Sequence, residues 1–382
     1  MTYSVYQHWD PLKVCVVGRS YPPEFYSWIT VPHVRSLLER MAQETEEDYL
    51  AIIKKLEEFD VKVLRPTIPD DPLLLKDQIG RWVVPPMTPR DYTLMIGNHY
   101  YHNPTGLKEF YNRVRDVSWP DCDDWDQWHR LPQRIKDECV NVHGMNHAHF
   151  LPSKAYENIL NEVKLHCKVT ETPIELTPNL NGAMVSRIGR DLYFGTHSYD
   201  QPSEEILNWA NNNLGEYRNH VVNTGGHSDG TYCPVCPGLI ISNYDIKTYE
   251  STYPGWEIVY IDKRNWAKIK NFAELKRKNN GRWWIPGFEH DDEVVNVVDS
   301  WLGHWLGYVE ETVFDVNMLM IDPKNVIVFS YNKQVFDAFD RYGITPHIVP
   351  FRHRFFWDGG IHCITSDLHR EGTVQDYFPE RG

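Results

Sequence analysis

Cys363 is the residue of this sequence that is best placed to act as a nucleophile. It stands in a short loop in which Gly359 and Gly360 let the backbone approach a ligand closely, while His362 and Asp367 supply polar neighbours. A cysteine attacks as its thiolate, so this loop is suited to a covalent intermediate. The same local sequence also fits a buried, unreactive cysteine.

A thiol nucleophile needs a partner that moves protons, and His227 is the strongest candidate among the 18 histidines. It lies in the segment GGHSDGT, two residues before Asp229. In an extended segment these two side chains would point to the same side, which predicts a histidine and a carboxylate that act together. A surface histidine in a turn is the alternative.

A further carboxylate, Asp91, lies two residues before the start of the short apolar run TLMIG. Pro89 restrains the backbone of the preceding loop, so Asp91 would be held at the entry of a buried strand. From this segment alone, a turn aspartate without a catalytic role is the simpler interpretation.

Two other cysteines, Cys233 and Cys236, have the spacing of a zinc-ligand pair. No second pair with matching spacing accompanies them, and Pro234 and Pro237 indicate a turn, so we expect no metal there. The seven cysteines are odd in number and scattered over 382 residues, which is typical of reduced thiols rather than a disulfide framework.

Five short apolar runs, each ending in Gly, Ser or Asn, predict the buried strands that would position these residues. They cover residues 14–18, 93–98, 191–195, 239–243 and 326–330. The similar strand ends suggest a repeated strand and helix unit, although their uneven spacing leaves coincidence open.

Helical patterns lie between several of these strands, so the sequence predicts a mixed α/β fold. One covers residues 46–59, and another covers residues 333–342, where Gly343 would cap the helix. No linker or low-complexity tract divides the chain, which predicts a single domain over residues 1–382.

The formal charge of −14 argues against several classes of partner. An acidic surface repels phosphate backbones and anionic lipids, so neither nucleic acid nor a membrane is expected as a partner. No apolar run reaches the roughly 18 residues that a spanning helix needs, and the first residues lack the pattern of a secretory signal. We therefore expect a cytoplasmic protein.

Taken together, these stretches resemble the guanidino-group-modifying enzymes, and within them the glycine/inosamine amidinotransferase branch. The resemblance begins at HWDPLKVCVVGR and continues through MTPRD, SRIGRDLYFG, HSDGTY and PGLIISN. It ends in a long block that starts at VNMLMID and closes with GGIHCITSDLHREG, which contains Cys363 and is the most specific part. It thus runs along nearly the whole chain.

The resemblance implies a five-bladed α/β propeller of pseudo-fivefold symmetry and an amidino-cysteine intermediate. In such enzymes Cys363 would attack the guanidinium carbon. His227 would protonate the departing amine and later deprotonate the incoming one, while Asp91 and Asp229 would each pair with the guanidinium. The partners would be a small guanidino donor and an amine acceptor, with no metal or organic cofactor. The oligomeric state stays open, with a homodimer as one option.

The sequence departs from the family pattern at several positions of the expected substrate site. Met184 stands where the family has the carboxylate that orients the catalytic histidine, and a thioether is a weak hydrogen-bond acceptor. Ile246 replaces an arginine, and Glu310 and Glu311 replace paired serines. Acidic side chains there would repel a carboxylate and attract a cation, so donor and acceptor remain open.

Three functions are compatible with these residues. The first is a cysteine-dependent amidinotransferase, and the second is a hydrolase of a guanidino compound, with water as the acceptor. The third is a catalytically weakened descendant that binds a guanidino compound or an amine. The presence of Cys363 and His227 favours an enzyme, since a binding protein needs no thiol.

Overall fold

Small three-stranded sheets are the main building block of the fold. The computed structural model describes residues 2–68, 82, 84–102, 153–173, 176, 179–196, 203–243, 246–261, 288, 291–302, 313–357 and 359–382. In this part of the chain, the strands form five sheets of three strands each. The strands are β1 (Leu12–Val17), β2 (Lys62–Leu64), β3 (Thr93–Ile96), β4 (His99–His102), β5 (Lys168–Glu171), β6 (Val185–Ile188), β7 (Asp191–Thr196), β8 (Arg218–Asn223), β9 (Tyr232–Cys236), β10 (Leu239–Ser242), β11 (Glu257–Tyr260), β12 (Leu319–Asp322), β13 (Asn325–Val328), β14 (Thr345–Ile348) and β15 (Thr365–Arg370).

All five sheets share one topology. The strand orders are β15-β1-β2, β3-β4-β5, β6-β7-β8, β9-β10-β11 and β12-β13-β14. In each sheet the first strand is antiparallel to the central strand, and the third strand is parallel to it. Because β15 pairs with β1, the two ends of the chain meet in the same sheet.

The five apolar runs predicted as strands are strands, and each lies in a different sheet. Four of them correspond to the central strands β1, β7, β10 and β13, whereas residues 93–98 contain the first strand β3. The repeated unit that the strand ends suggested is therefore present as a repeated sheet topology. Its uneven spacing in sequence arises from connections of different length.

Helices connect the strands, as the α/β pattern predicted. In the described residues they are α1 (Pro32–Glu57), α2 (Glu157–Lys164), α3 (Ser203–Asn213), α4 (Ser228–Thr231), α5 (Tyr249–Thr252), α6 (Asp292–Val297), α7 (Val313–Val316), α8 (Lys333–Tyr342) and α9 (Arg354–Trp357). A 3₁₀ turn, Pro89–Asp91, leads into β3. None of the helices in the described ranges is long and apolar enough to cross a membrane.

The two helices predicted by periodicity are present. The predicted helix over residues 46–59 corresponds to the second half of α1, which ends two residues earlier, at Glu57. Helix α1 begins at Pro32, which is tolerated in the first turn because a missing amide costs nothing there. Helix α8 has the predicted bounds. The Asn332 side chain accepts hydrogen bonds from the amides of Gln334 and Val335, and Gly343 ends the helix with a left-handed φ of 67°.

A buried cluster of charges joins three of the sheets. Asp367, on β15, accepts hydrogen bonds from both Arg187 on β6 and Arg370 on its own strand, and Arg90 beside β3 lies 3.0 Å from it. All four side chains are buried. Burial alone would raise the pKa of Asp367, but Arg187, Arg90 and Arg370 hold it well below its usual range. This carboxylate is therefore a charged structural centre.

We expect the substitution Asp367→Asn to destabilise the fold strongly. It would leave three buried guanidinium groups without their shared counter-charge, and the loss of one partner from such a buried cluster costs about 3–5 kcal/mol. Denaturant unfolding measures this loss. A matched control is Asp337→Asn on α8, whose solvent-exposed pair with Lys333 is screened by water, so its loss is expected to change the unfolding free energy little. Equal stability of the two variants would contradict the account.

Candidate active site

Five loops, one before the first strand of each sheet, carry the side chains of the candidate site. Each residue lies within three positions of the strand that follows it: Asp91 before β3, Met184 before β6, Asp229 before β9, Asn317 before β12 and Cys363 before β15. Since all five sheets have the same topology, each loop occupies the same position relative to its own sheet.

Backbone hydrogen bonds connect three of these loops in succession. The Gly182 amide, in the loop before β6, donates to the Arg90 carbonyl oxygen in the turn that holds Asp91. The Asp229 amide, in the loop before β9, donates in turn to the carbonyl oxygen of Ala183. The loops of Asp91, Met184 and Asp229 are therefore neighbours.

Asn317 and Arg90 close this chain of contacts into a ring. Asn317 donates from Nδ2 to the Asp229 carbonyl oxygen, and its Oδ1 accepts from the amides of His362 and Cys363. Arg90 then donates from Nε to the His362 carbonyl oxygen at 2.7 Å. The five loops thus form one closed, hydrogen-bonded ring with Cys363 on it.

The Cys363 thiol lies between an amide donor and a carboxylate acceptor. The Nδ2 of Asn317 is 3.0 Å from Sγ, and Sγ is 3.2 Å from the Oδ2 of Asp229. Gly360 makes this packing possible, since a Cβ there would come within 2.2 Å of the Asn317 side chain. The space expected for a ligand beside this glycine is therefore filled by Asn317.

Two carboxylates act on the thiol electrostatically. Burial, and then the negative charges of Asp229 and Asp91, raise the pKa of Cys363 well above its ordinary value. The hydrogen bond from Asn317 opposes this effect, because it favours the thiolate. Without a cation in the site, Cys363 is held as a neutral thiol.

Asp229 also contacts the histidine that precedes the cysteine. His362 Nδ1 lies 2.9 Å from the Asp229 Oδ2, and both side chains are nearly inaccessible to solvent. Burial alone would raise the pKa of Asp229, whereas the hydrogen bond with His362 contributes most to lowering it. From the sequence, His362 was expected only as a polar neighbour of Cys363; its partner Asp229 is 133 residues away in the chain.

The side chain of His227 is more exposed than that of Asp91, the carboxylate beside it. Its Nδ1 is 3.7 Å from the Oδ1 of Asp91, and its side chain is 32% exposed against 14% for Asp91. The expectation that His227 and Asp229 share an extended segment is wrong. His227 directly precedes the short helix α4, and Asp229 lies within that helix, so the segment that joins them is not extended.

Met184 is fully buried and contributes its backbone to the loop before β6. Its carbonyl oxygen accepts hydrogen bonds from the Gly195 amide and from the Ser228 hydroxyl, next to His227. The Asn181 side chain caps the same turn, since its Oδ1 accepts from the Ala183 and Met184 amides. Glu310 and Glu311 lie outside the described residues, so their expected place at the site stays a prediction.

Asn317 is the site residue that the sequence analysis missed. Its signal was available, because it comes two residues before a buried strand, in the same relation as Asp91 to β3 and Cys363 to β15. A neutral amide carries no signature of reactivity, however, and its partners are 88 and 46 residues away.

The cysteine pair Cys233 and Cys236 lies on β9, where burial raises the pKa of the two thiols to about 12 and about 11. In the described part of the chain, only His33, Asp291 and Glu293 bring three potential metal ligands within 4.8 Å of one another. That group is remote in sequence from the pair and contains neither cysteine. The expectation of no metal or cofactor at the site stays a prediction.

Known proteins are similar to this chain in sequence and in structure. No family model matches the chain. It is 25% identical over 411 aligned positions to the mitochondrial glycine amidinotransferase of Xenopus laevis. The alignment covers 98% of this chain and 84% of that protein. It is 22% identical over 210 positions to the L-arginine:L-lysine amidinotransferase of Pseudomonas savastanoi pv. phaseolicola, covering 53% of this chain and 48% of the relative.

Solved structures show the same fold. The amidinotransferase SxtG of the saxitoxin biosynthetic pathway, from Microseira wollei, matches with a TM-score of 0.62 at 20% identity and covers 98% of this chain and 99% of that one. The inosamine-phosphate amidinotransferase of Streptomyces griseus matches with a TM-score of 0.59 at 18% identity, with the same coverage. The resemblance to the amidinotransferase branch of the guanidino-modifying enzymes, inferred from the motifs, is confirmed by these relatives, and the chain is an enzyme of the transferase class.

Proposed function

We propose that this enzyme moves an amidino group from a guanidino donor to an amine through an amidino-cysteine on Cys363. The observation that carries the proposal is the position of the Cys363 thiol against the Asp229 carboxylate, with Asp91 close enough to act on the same thiol. A guanidinium placed between these carboxylates would be held by charge-assisted hydrogen bonds with its carbon facing the sulfur.

The charge of the site supports a cationic substrate. Burial makes the thiol hard to ionise in the free enzyme, and the negative charges of Asp229 and Asp91 at Sγ add to this effect. A bound guanidinium would neutralise these charges and lower the pKa of Cys363. The substrate would thus help to create the thiolate that attacks it.

In the proposed reaction, His227 accepts each transferred proton and gives it up again. The Cys363 thiol passes its proton to His227, and the thiolate attacks the guanidinium carbon. The bond from that carbon to the donor nitrogen breaks, and His227 gives the proton to the departing amine. A neutral acceptor amine then attacks the amidino-cysteine and releases a proton to His227. The sulfur leaves as thiolate and takes that proton back.

We assign to Asp91 the role of the orienting carboxylate that the sequence lacks at Met184. The Oδ1 of Asp91 lies 3.7 Å from the Nδ1 of His227, which is an ion-pair distance whenever the imidazole carries the transferred proton. In this arrangement Asp91 serves both His227 and the substrate, whereas Met184 acts through its backbone carbonyl.

The ring of five loops supports a finer description of the fold. We propose that the five sheets are the blades of a five-bladed α/β propeller of pseudo-fivefold symmetry, with residues 1–382 as one domain and the catalytic loops around its axis. A cytoplasmic location and a homodimer remain predictions of the sequence, and the vertebrate relatives are mitochondrial by name.

A product assay tests the proposed reaction. The chain is incubated with arginine and, in turn, glycine, lysine or an inosamine phosphate, the compounds named in its relatives, and products are identified by mass spectrometry. We expect one amine to gain an amidino group and the Cys363→Ala variant to form no product. In ¹⁸O-labelled water, label in a ureido product or in urea would instead assign the hydrolase.

The substitution Met184→Asp separates an active enzyme from a weakened descendant. Met184 is fully buried, so a carboxylate there would be an unpaired buried charge, and we expect a loss of about 3 kcal/mol or more in unfolding free energy with no gain in turnover. Met184→Leu is the matched control and is expected to cost less than about 1.5 kcal/mol. A folded Met184→Asp variant with turnover raised about tenfold would instead identify a weakened descendant.

A further inference from the structure

We propose that His362 is a positioning residue that fixes the Asp229 carboxylate through its Nδ1–H and so leaves the second oxygen of Asp229 for the substrate. The inference rests on the proposed function, in which Asp229 binds a guanidinium. His362 acts through Asp229 and is distinct from His227, which moves protons.

The two carboxylate oxygens of Asp229 differ in their hydrogen-bond partners. Oδ2 accepts from His362 at 2.9 Å and from the Cys363 thiol at 3.2 Å, so it already has two donors. Oδ1 is buried and has no hydrogen-bond partner within the described residues. A buried carboxylate oxygen without a donor is costly, and the planar N–H groups of a guanidinium supply the missing donors.

The backbone of His362 is held on both sides, which fixes the direction of its ring. Its amide donates to the Asn317 Oδ1 at 2.8 Å, and its carbonyl oxygen accepts from the Arg90 Nε at 2.7 Å. Since Arg90 is anchored on Asp367, the imidazole is placed by the same buried charges that hold the sheets together. His362 therefore transmits that rigidity to Asp229.

The protonation state of His362 suits this role. Because an ionised carboxylate only accepts, Nδ1 must carry the proton. Burial and the positive charge of Arg90 lower the pKa of His362 to about 4, so the ring stays neutral at ordinary pH. The charged and titratable groups that face the pair are His8, Arg90, His227, Cys363 and Asp367.

Two substitutions of His362 separate the Nδ1 donor from the rest of the ring. The side-chain nitrogen of Asn reaches the place of Nδ1, whereas that of Gln reaches the place of Nε2. We expect His362→Asn to keep kcat/KM within about threefold of the wild type and His362→Gln to lose at least about tenfold. Thermal unfolding confirms that both variants are folded.

The pH profile adds a readout that a purely structural role would not move. Asp229 must be ionised to bind a cation, and the hydrogen bond from His362 lowers its pKa. Loss of this donor raises the pKa of Asp229. On acidification the carboxylate is therefore protonated, and activity is lost, at a higher pH than in the wild type. We expect the acidic limb of kcat/KM to move up by about one pH unit in His362→Gln and to stay in place in His362→Asn. The assignment would be overturned if the two folded variants had the same acidic limb or the same kcat/KM.

A measurement without substrate keeps this inference separate from the proposed function. In protein labelled with ¹⁵N at histidine, the signal absent from His362→Asn identifies His362. We expect a protonated Nδ1 and a bare Nε2 that does not titrate above about pH 5, in keeping with a pKa of about 4. An Nε2–H tautomer or titration near the ordinary value would overturn the inference. Failure of amidino transfer with an intact Nδ1–H signal would reject the proposed reaction instead.

Discussion

The fold and the site both depend on one buried carboxylate, Asp367. It neutralises part of the charge of Arg187 on β6, of Arg370 on β15 and of Arg90 in the turn that leads into β3. Each of these guanidinium groups also donates to a backbone carbonyl or lies against one, so the cluster fixes main chain as well as side chains. A hydrophobic core alone would leave the relative rotation of the sheets less defined, because apolar contacts are not directional.

The connection from this cluster to the chemistry is short. Arg90 is followed by Asp91, and Asp367 is four residues after Cys363, so one ion pair places a candidate substrate ligand and the nucleophile together. The two buried carboxylates Asp367 and Asp229 differ in their partners. Asp367 is surrounded by cations, whereas Asp229 accepts from a neutral imidazole and a thiol. The first is suited to structure, and the second leaves negative charge for a cationic ligand.

Local patterns in the sequence predicted the parts of the molecule that depend on local interactions. The five apolar runs, helix α8 and its Gly343 cap follow from strand burial, helical periodicity and the left-handed conformation of glycine. Cys363 and His227 were candidates because reactive side chains often lie in Gly-rich loops, whereas the local sequence favoured a turn role for Asp91; the catalytic roles of all three stay predictions. The roles of Asn317, His362 and Asp367 were not predictable in this way, since their partners lie in other sheets and no periodicity encodes such pairings.

The central claim is that the Cys363 thiol, flanked by Asp229 and Asp91, takes the amidino group from a guanidinium. The most direct measurement is mass spectrometry of the enzyme incubated with the guanidino donor alone, quenched in acid and digested. The account predicts an amidino group on the peptide that contains Cys363 and on no other cysteine peptide. An adduct on a different cysteine, or full transfer activity without any adduct, would contradict it.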